Sequence, residues 1–306
     1  MGIGNIKLKI GKLQKGKNNL ITDVKGVKVG HKTLDNGNIK TGVTAIIPHS
    51  DNIFREKLIS SSYVINGFGK SIGLVQINEL GTLETPIILT NTLSVGTCST
   101  ALVKYMLKEN EDIGVTTGTV NPVVCECNDG YLNDIRGLHV KEEDVFDAIE
   151  NAEINFKEGN IGAGTGMSCY QLKGGIGSAS RVLKLDDKEY TIGSLVLSNF
   201  GLKEDLLVDG IKVGEKILEK EREELEKGSI IIILATDIPM NERQLKRIAK
   251  RVPIGLARTG SHIGNGSGDI VIAFSTANRI KHYEDRDIVS IKIINENIID
   301  KVFRGV

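Results

Sequence analysis

A layered α/β or α+β fold, one domain by core, is what this sequence predicts, and three observations carry the prediction. Short β-branched runs recur, several of them apolar on both faces, as strands covered on two sides require. Patterns with apolar residues on one helical face alternate with those runs. Glycine is abundant, 35 of 306 residues, and sits in short clusters between apolar runs, where tight turns and close backbone approaches belong. A chain of this length buries a sizeable core.

The elements follow in order. Residues 42–48 (GVTAIIP), 72–77 and 87–89 read as strands. Residues 97–109 read as a helix with Leu102, Tyr105 and Met106 on one face, and 141–157 as another carrying Val145, Ile149, Ala152 and Phe156. A strand at 191–198 comes next, then a helix over 207–227 with Ile211, Leu218 and Leu225 spaced by sevens. Its charge-dense part, 215–227, reads as a solvated face laced by Glu–Lys pairs one turn apart. At Gly228 the charged run stops, and Ser229 opens the apolar strand 229–235 (SIIIILA). A helix over 241–252 presents Leu245, Ile248 and Val252, and strands at 270–274 and 288–294 complete the series. No internal repeat is visible.

Composition narrows the function. Lysine plus arginine equals aspartate plus glutamate at 39 each, so no global field draws the chain to nucleic acid or an anionic membrane. Aromatic residues make up 4% with no tryptophan, which removes the usual base-stacking platforms. No segment approaches the roughly 20 apolar residues of a membrane span, and the first twenty residues lack the apolar stretch of a signal peptide. The expected location is the cytoplasm. Cys98, Cys125, Cys127 and Cys169 suit a reducing compartment and read as small core residues. No metal site is expected, because the C-x-C pair has no matching second pair or nearby histidines.

Two glycine motifs tempt and fail. Residues 66–71 (NGFGKS) come close to a phosphate-binding loop, but Val64 stands where that loop needs its first glycine. Residues 162–167 (GAGTGM) break the dinucleotide fingerprint at its last glycine. His31, His49, His139, His262 and His282 are dispersed, and His262, beside a glycine-rich loop, is the one with a suggestive setting.

Four segments combine small residues with groups suited to acyl transfer: 164–167 (GTGM) leading into 173–181 (KGGIGSASR), 196–201 (VLSNFG), Gly228-Ser229, and 264–269 (GNGSGD). With 21–33 (ITDVKGVKVGHKT), 76–97 (QINELGTLETPIILTNTLSVGT) and 121–140 (NPVVCECNDGYLNDIRGLHV), they make nearly the whole chain resemble the self-processing L-aminopeptidase/D-esterase (D-amidase) family. That family includes the β-aminopeptidases and, more distantly, hydrolases of 6-aminohexanoate (nylon) oligomers.

The resemblance implies a four-layer αββα sandwich similar to N-terminal-nucleophile hydrolases, with different strand connectivity. It implies self-cleavage at Gly228–Ser229 into an α subunit, 1–228, and a β subunit, 229–306, whose new α-amine and Ser229 hydroxyl form the active centre. A C-cap glycine is the plain reading of Gly228, and both readings can hold together. Ser267 and Asp269 match the family's supporting serine and the carboxylate two residues on. β-Aminopeptidases often carry glutamate there, so Asp269 is a shorter departure, closer to the nylon-oligomer branch. Asn199 matches the oxyanion residue and Lys173 a cation that tunes the same site. Glu126, in ECNDG, matches the glutamate that receives a substrate's free ammonium.

The implied activity is hydrolysis of an amide or ester bond after an amino-terminal residue through an acyl-Ser229 ester, with no metal or organic cofactor. The expected partner is a small peptide, amide or ester with a free amine, and the expected assembly a homo-oligomer of α–β pairs, a tetramer by the resemblance. Three alternatives stand beside it. One is an ω-amino-acid oligomer hydrolase. Another is an acyltransferase of the ornithine acetyltransferase type, whose nucleophile is usually threonine after alanine. The third is an uncleaved, non-enzymatic binding protein.

Overall fold

The computed structural model describes residues 10–217 and 228–306. In the first part of the chain, β1 (Lys28–Asn36) and β2 (Ile39–Ile47) form a hairpin turned at Gly37, whose φ of 56° suits a residue without Cβ. β3 (Glu56–Gly67), α1 (Leu74–Leu80), β4 (Ile87–Asn91), α2 (Val95–Glu109), β5 (Val123–Cys127) and α3 (Glu142–Glu150) follow. A second long hairpin, β6 (Gly175–Leu185) and β7 (Lys188–Asn199), leads to the short helix α4 (Val213–Ile217). Then come β8 (Ser229–Thr236), α5 (Glu242–Ala249), α6 (Val252–Arg258), β9 (Gly268–Lys281) and α7 (Ile299–Phe303).

Among the described residues the strands form two main sheets. One has the order β6-β7-β8-β9-β3, extended by the two-residue strands Gln14–Lys15 beside β6 and Thr82–Leu83 beside β3. The other is β1-β2-β4-β5. Alternation along β8 explains how they stack. Ile231, Ile233 and Ala235 join the core that contains Val43, Leu89, Val123 and Cys125 of the smaller sheet, whereas Ile230, Ile232 and Leu234 join Leu245, Ile248, Val252 and Val302 of α5, α6 and α7. A strand buried on both faces must be apolar throughout, which is why SIIIILAT reads as an unbroken run. α3 packs on β1 and β2, and α2 on β4 and β5, which closes the outer face of the smaller sheet. The result is the expected αββα layering.

Local chemistry sets the helix ends. On α2 the buried residues Cys98, Ala101, Leu102 and Met106 recur at three and four, one face of a helix. Asn91 holds the Ser94 N–H just ahead of it. Asn241 accepts from the Gln244 N–H at 2.9 Å to start α5, and Pro253 occupies the first turn of α6, where no N–H is needed.

Four sequence expectations are corrected. The helix expected over 141–157 ends at Glu150, so Ala152 and Phe156 lie outside it. Residues 72–77 are not a strand: Gly73 takes a left-handed φ of 89° and opens α1, while Ile72 alone bridges to Val124. Residues 288–294 are not a strand either. Asn278 holds both backbone groups of Lys292, and Ile288, Val289, Ile291 and Ile293 stay exposed. The long helix at 207–227 is interrupted, because Asp209 and Gly210, both at positive φ, turn Leu207–Val208 back on Ile211–Lys212 before α4 begins. The rest of that expectation, with the charge-dense stretch, falls at 218–227, outside the described residues. Among the described residues no helix is long and apolar enough to cross a membrane.

Candidate active site

β7, β8, β9 and β3 lie side by side, and their register puts Asn199 opposite Ser229, Ser229 opposite Gly268, and Gly268 opposite Gly67. One row of residues, contributed by four distant parts of the chain, thus crosses one end of the larger sheet. Ser229 precedes Ile231 by two, so it points to the inter-sheet side, where the apolar filling ends and a cavity of about 910 Å³ begins. Glu126, from β5 of the other sheet, lines the same cavity, as do Phe68, Tyr131 and Leu202.

Close approach requires glycine at two points. A Cβ on Gly228 would sit 2.4 Å from the Asn199 carbonyl oxygen and 2.6 Å from Phe200 Cα. A Cβ on Gly268 would sit 2.7 Å from Gly69 Cα. The backbone therefore packs around Ser229 with no side chain between. The Ser229 hydroxyl donates to the Gly228 carbonyl at 2.7 Å, and the Gly268 N–H lies 3.3 Å from that carbonyl oxygen and 3.2 Å from Ser229 Oγ.

The other expected residues surround this junction in different ways. Ser267 donates to Asp269 Oδ1 at 2.6 Å, and the Ile230 N–H reaches the same oxygen at 3.1 Å, so the short aspartate spans the distance to Ser267. Among the described residues no hydrogen bond joins Ser267 to Ser229. Asn199 is buried, with Nδ2 donating to the Asn128 carbonyl at 2.8 Å and Oδ1 accepting from the Ser168 N–H at 2.9 Å. Glu126 is buried too, accepting from the Lys70 N–H at 2.8 Å on Oε1 and from the Thr92 hydroxyl on Oε2. No cation of the described residues pairs with it, which leaves a fixed carboxylate facing the cavity. Lys173 stands apart from the cavity lining. Its ammonium donates to the carbonyls of Gly164, Met167 and Gly174 at 2.8–3.0 Å, and burial lowers its pKa to about 8.

The segment NGFGKS, set aside above as a failed phosphate loop, is part of the scaffold. Asn66 Nδ2 reaches the carbonyls of Gly264, Asn265 and Ser267, the Phe68 N–H donates to Ser267, and Lys70 ties the run to Glu126. It joins the 264–268 loop of one sheet to the carboxylate of the other. His262 is exposed and near Asp205, away from the cavity lining. Cys98, Cys125 and Cys127 are buried, and burial pushes the Cys98 and Cys125 thiols up to about 12, Cys169 to about 11 and Cys127 well above the usual range. These are protonated packing groups rather than nucleophiles.

Asp129, next to the carbonyl that Asn199 holds, is fully buried. Asn133 donates to Oδ1 at 3.0 Å, and Oδ2 has no hydrogen bond of good geometry. Burial pushes its carboxyl up to about 6. An unfolded aspartate titrates near 3.9, so the folded state favours the protonated form. That stabilisation is present in full below about pH 4 and is lost as pH rises through 6, on the order of 3 kcal/mol in all. Asp129→Asn, which cannot ionise, should lack this slope. The melting temperature of the wild type relative to Asp129→Asn should fall between pH 4 and pH 7 in thermal melts, and a difference independent of pH would show that Asp129 is ionised throughout.

A sandwich of two sheets between helices, with a serine opening a central strand onto a cavity, defines the class: a hydrolase of the N-terminal-nucleophile kind. The chain belongs to peptidase family S58, whose model matches residues 19–306. It is 39% identical to the β-peptidyl aminopeptidase BapA of Sphingosinicella microcystinivorans over 95% of this chain and 78% of that protein. Among solved structures it resembles the PH0078 protein from Pyrococcus horikoshii OT3, with TM-score 0.95 and 55% identity over 100% of this chain and 87% of the other. It also resembles the L-aminopeptidase D-Ala-esterase/amidase from Ochrobactrum anthropi, described as a variant of the Ntn hydrolase fold, with TM-score 0.89 and 37% identity over 96% and 84%. The protein is a peptidase.

Proposed function

We propose that the chain is a self-processing aminopeptidase that cuts itself before Ser229 and then uses that residue to release amino-terminal residues from small peptides, amides or esters. The observation that carries this is the Gly228–Ser229 junction, where the attacking hydroxyl, the carbonyl and one N–H donor lie within hydrogen-bond reach at the floor of a cavity.

In the precursor, Ser229 Oγ attacks the Gly228 carbonyl carbon. The electron pair moves onto the carbonyl oxygen, beside the Gly268 N–H, where a hydrogen bond strengthens as charge develops. Collapse expels the Ser229 nitrogen, which takes up the proton that Oγ gives up and leaves as the free amine, with Gly228 esterified to Oγ; water then hydrolyses the ester to the Gly228 carboxylate and the free Ser229 hydroxyl. The new α-amine, with an unperturbed pKa near 8, is the base for later turnovers. Ser267, ordered by Asp269, supports that base, and Asn199 adds a second oxyanion donor. Lys173 acts from a distance by holding the loop that ends at Ser168, the Asn199 partner. A cytoplasmic homo-oligomer of cleaved pairs belongs to the same proposal, and light scattering on the processed protein reads its size.

Glu126 would receive the substrate's ammonium. A charge-assisted hydrogen bond of this kind contributes about 1.5–3 kcal/mol. A panel of p-nitroanilides (α-L-alanyl, α-D-alanyl, β-alanyl, 6-aminohexanoyl and their N-acetyl forms) tests the reading. Free-amine members should be cleaved at least about tenfold faster than their acetylated counterparts, with the advantage lost in Glu126→Gln. Equal rates for free and acetylated substrates would make the protein a general amidase. The fastest acyl group assigns α-, β- or ω-amino specificity.

A further inference from the structure

Lys70 is a charge on the cavity wall that the reaction above does not use. Its N–H holds Glu126, but its side chain folds back along the wall, where Nζ donates to the Phe68 carbonyl at 2.8 Å and lies 4.1 Å from the centre of the Phe68 ring. Phe68 and Lys70 both line the cavity. A carbonyl and an aromatic face are neutral partners: they hold the exposed ammonium at the cavity and leave its charge unpaired. No carboxylate of the described residues lies within ion-pair distance of Lys70. Among the described lining residues, Lys70 supplies the one basic side chain and Glu126 the one acidic side chain. The Lys70 backbone N–H bonds the Glu126 carboxylate while Nζ turns back to Phe68, so one residue links the anion to the cation along the cavity lining.

A cavity offering one fixed anion and one cation is complementary to a zwitterion and mismatched to a substrate carrying an amine alone. We propose that Lys70 makes the enzyme selective for substrates that carry a carboxylate in addition to the free amine. This rests on the aminopeptidase reading and on Glu126 as the amine's seat. Two positions on a substrate supply that carboxylate. On the leaving side it is the C-terminus of a dipeptide. On the acyl side it is the α-carboxylate of an isoaspartyl residue, in which ammonium and carboxylate share a carbon and the scissile carbonyl lies one methylene further on. The second is a β-amino acyl group with a negative substituent.

Two matched pairs separate the sources. β-Alanyl-alanine against β-alanyl-alaninamide reads the leaving side, and isoaspartyl p-nitroanilide against β-alanyl p-nitroanilide reads the acyl side. In one pair the carboxylate member should have the higher kcat/KM by about tenfold, carried mainly by KM, because binding of a charge remote from the bond is felt equally in ground and transition states. The ratio should shrink in high salt. It should collapse toward one in Lys70→Met, persist in Lys70→Arg and invert in Lys70→Glu. A ratio near one for both pairs in the wild type overturns the proposal, as does a ratio that survives Lys70→Met. If the wild type cleaves neither the free-amine dipeptides nor the p-nitroanilides, the aminopeptidase reading has failed. Thermal-shift titration with the same pairs then still decides whether Lys70 selects carboxylates, by whether the preference seen in the wild type disappears in Lys70→Met.

Discussion

The Ser229→Ala protein should remain a single 33.2 kDa chain and should cleave no substrate. Both losses follow from one atom, because in the proposed mechanism the oxygen that attacks Gly228 in the precursor is the oxygen that carries the acyl group afterwards. No nearby group substitutes for it. The Ser267 hydroxyl is committed to Asp269, and the cysteines are buried thiols with raised pKa values. Removing the nucleophile of a serine hydrolase lowers kcat by about 10⁶-fold. Folding should suffer little. The lost hydroxyl partners are the Gly228 carbonyl and the Gly268 N–H, and those two groups already lie 3.3 Å from each other, so the cost is about 1 kcal/mol or less. Intact-mass spectrometry of the wild type should show fragments 1–228 and 229–306, the second with serine at its N-terminus. A fully active wild type at 33.2 kDa would remove self-processing from the mechanism.

Most of the layering was legible because burial on two faces leaves an unmistakable pattern. β8 and the core of β9 are apolar without interruption, and α2 and α5 show their buried residues at helical spacing. The misread segments have separate physical causes. Residues 288–294 have the composition of a strand, but a strand needs a neighbour with free backbone groups, and composition does not say where one lies. Asn278 takes both backbone groups of Lys292 instead. At 72–77 the short apolar run has the composition of a strand, yet the left-handed Gly73 redirects the chain into a helix with only Ile77 buried.

The candidate site was read in another way. Ser229, Asn199 and Glu126 came from a resemblance spread over the chain, since each alone is explained by a cap, a turn or an acidic loop. Gly268 and Asn66 went unnoticed because their roles exist only in the register. The Gly268 N–H matters because β8 and β9 pair in parallel with Ser229 opposite Gly268. Asn66 matters because the end of β3 lies against the 264–268 loop, about two hundred residues later in the chain. A strand-end NGFG with no phosphate role was the available signal for a backbone-to-backbone approach.

Asn199→Ala should lower kcat by roughly 10²–10³-fold, the loss expected for one oxyanion-hole donor. Its amide has two N–H groups, of which one is engaged with the Asn128 carbonyl. The second is available to an oxyanion on an acyl group attached to Ser229, the residue directly opposite in the ladder. The same substitution strips the Asn128 carbonyl and the Ser168 N–H of their partner, and leaving buried groups unpaired costs about 1–3 kcal/mol. A fall in melting temperature of a few degrees is therefore expected alongside the kinetic loss. The two effects separate in the assay. Loss of a donor used only in the transition state lowers kcat with KM nearly unchanged, whereas loosening the Asn128 and Ser168 loops raises KM on the walls they form. Kinetics taken well below the melting transition, on protein shown to be processed, make the distinction. An unchanged kcat with a lowered melting temperature would make Asn199 a strut between two loops and leave the Gly268 N–H as the oxyanion donor.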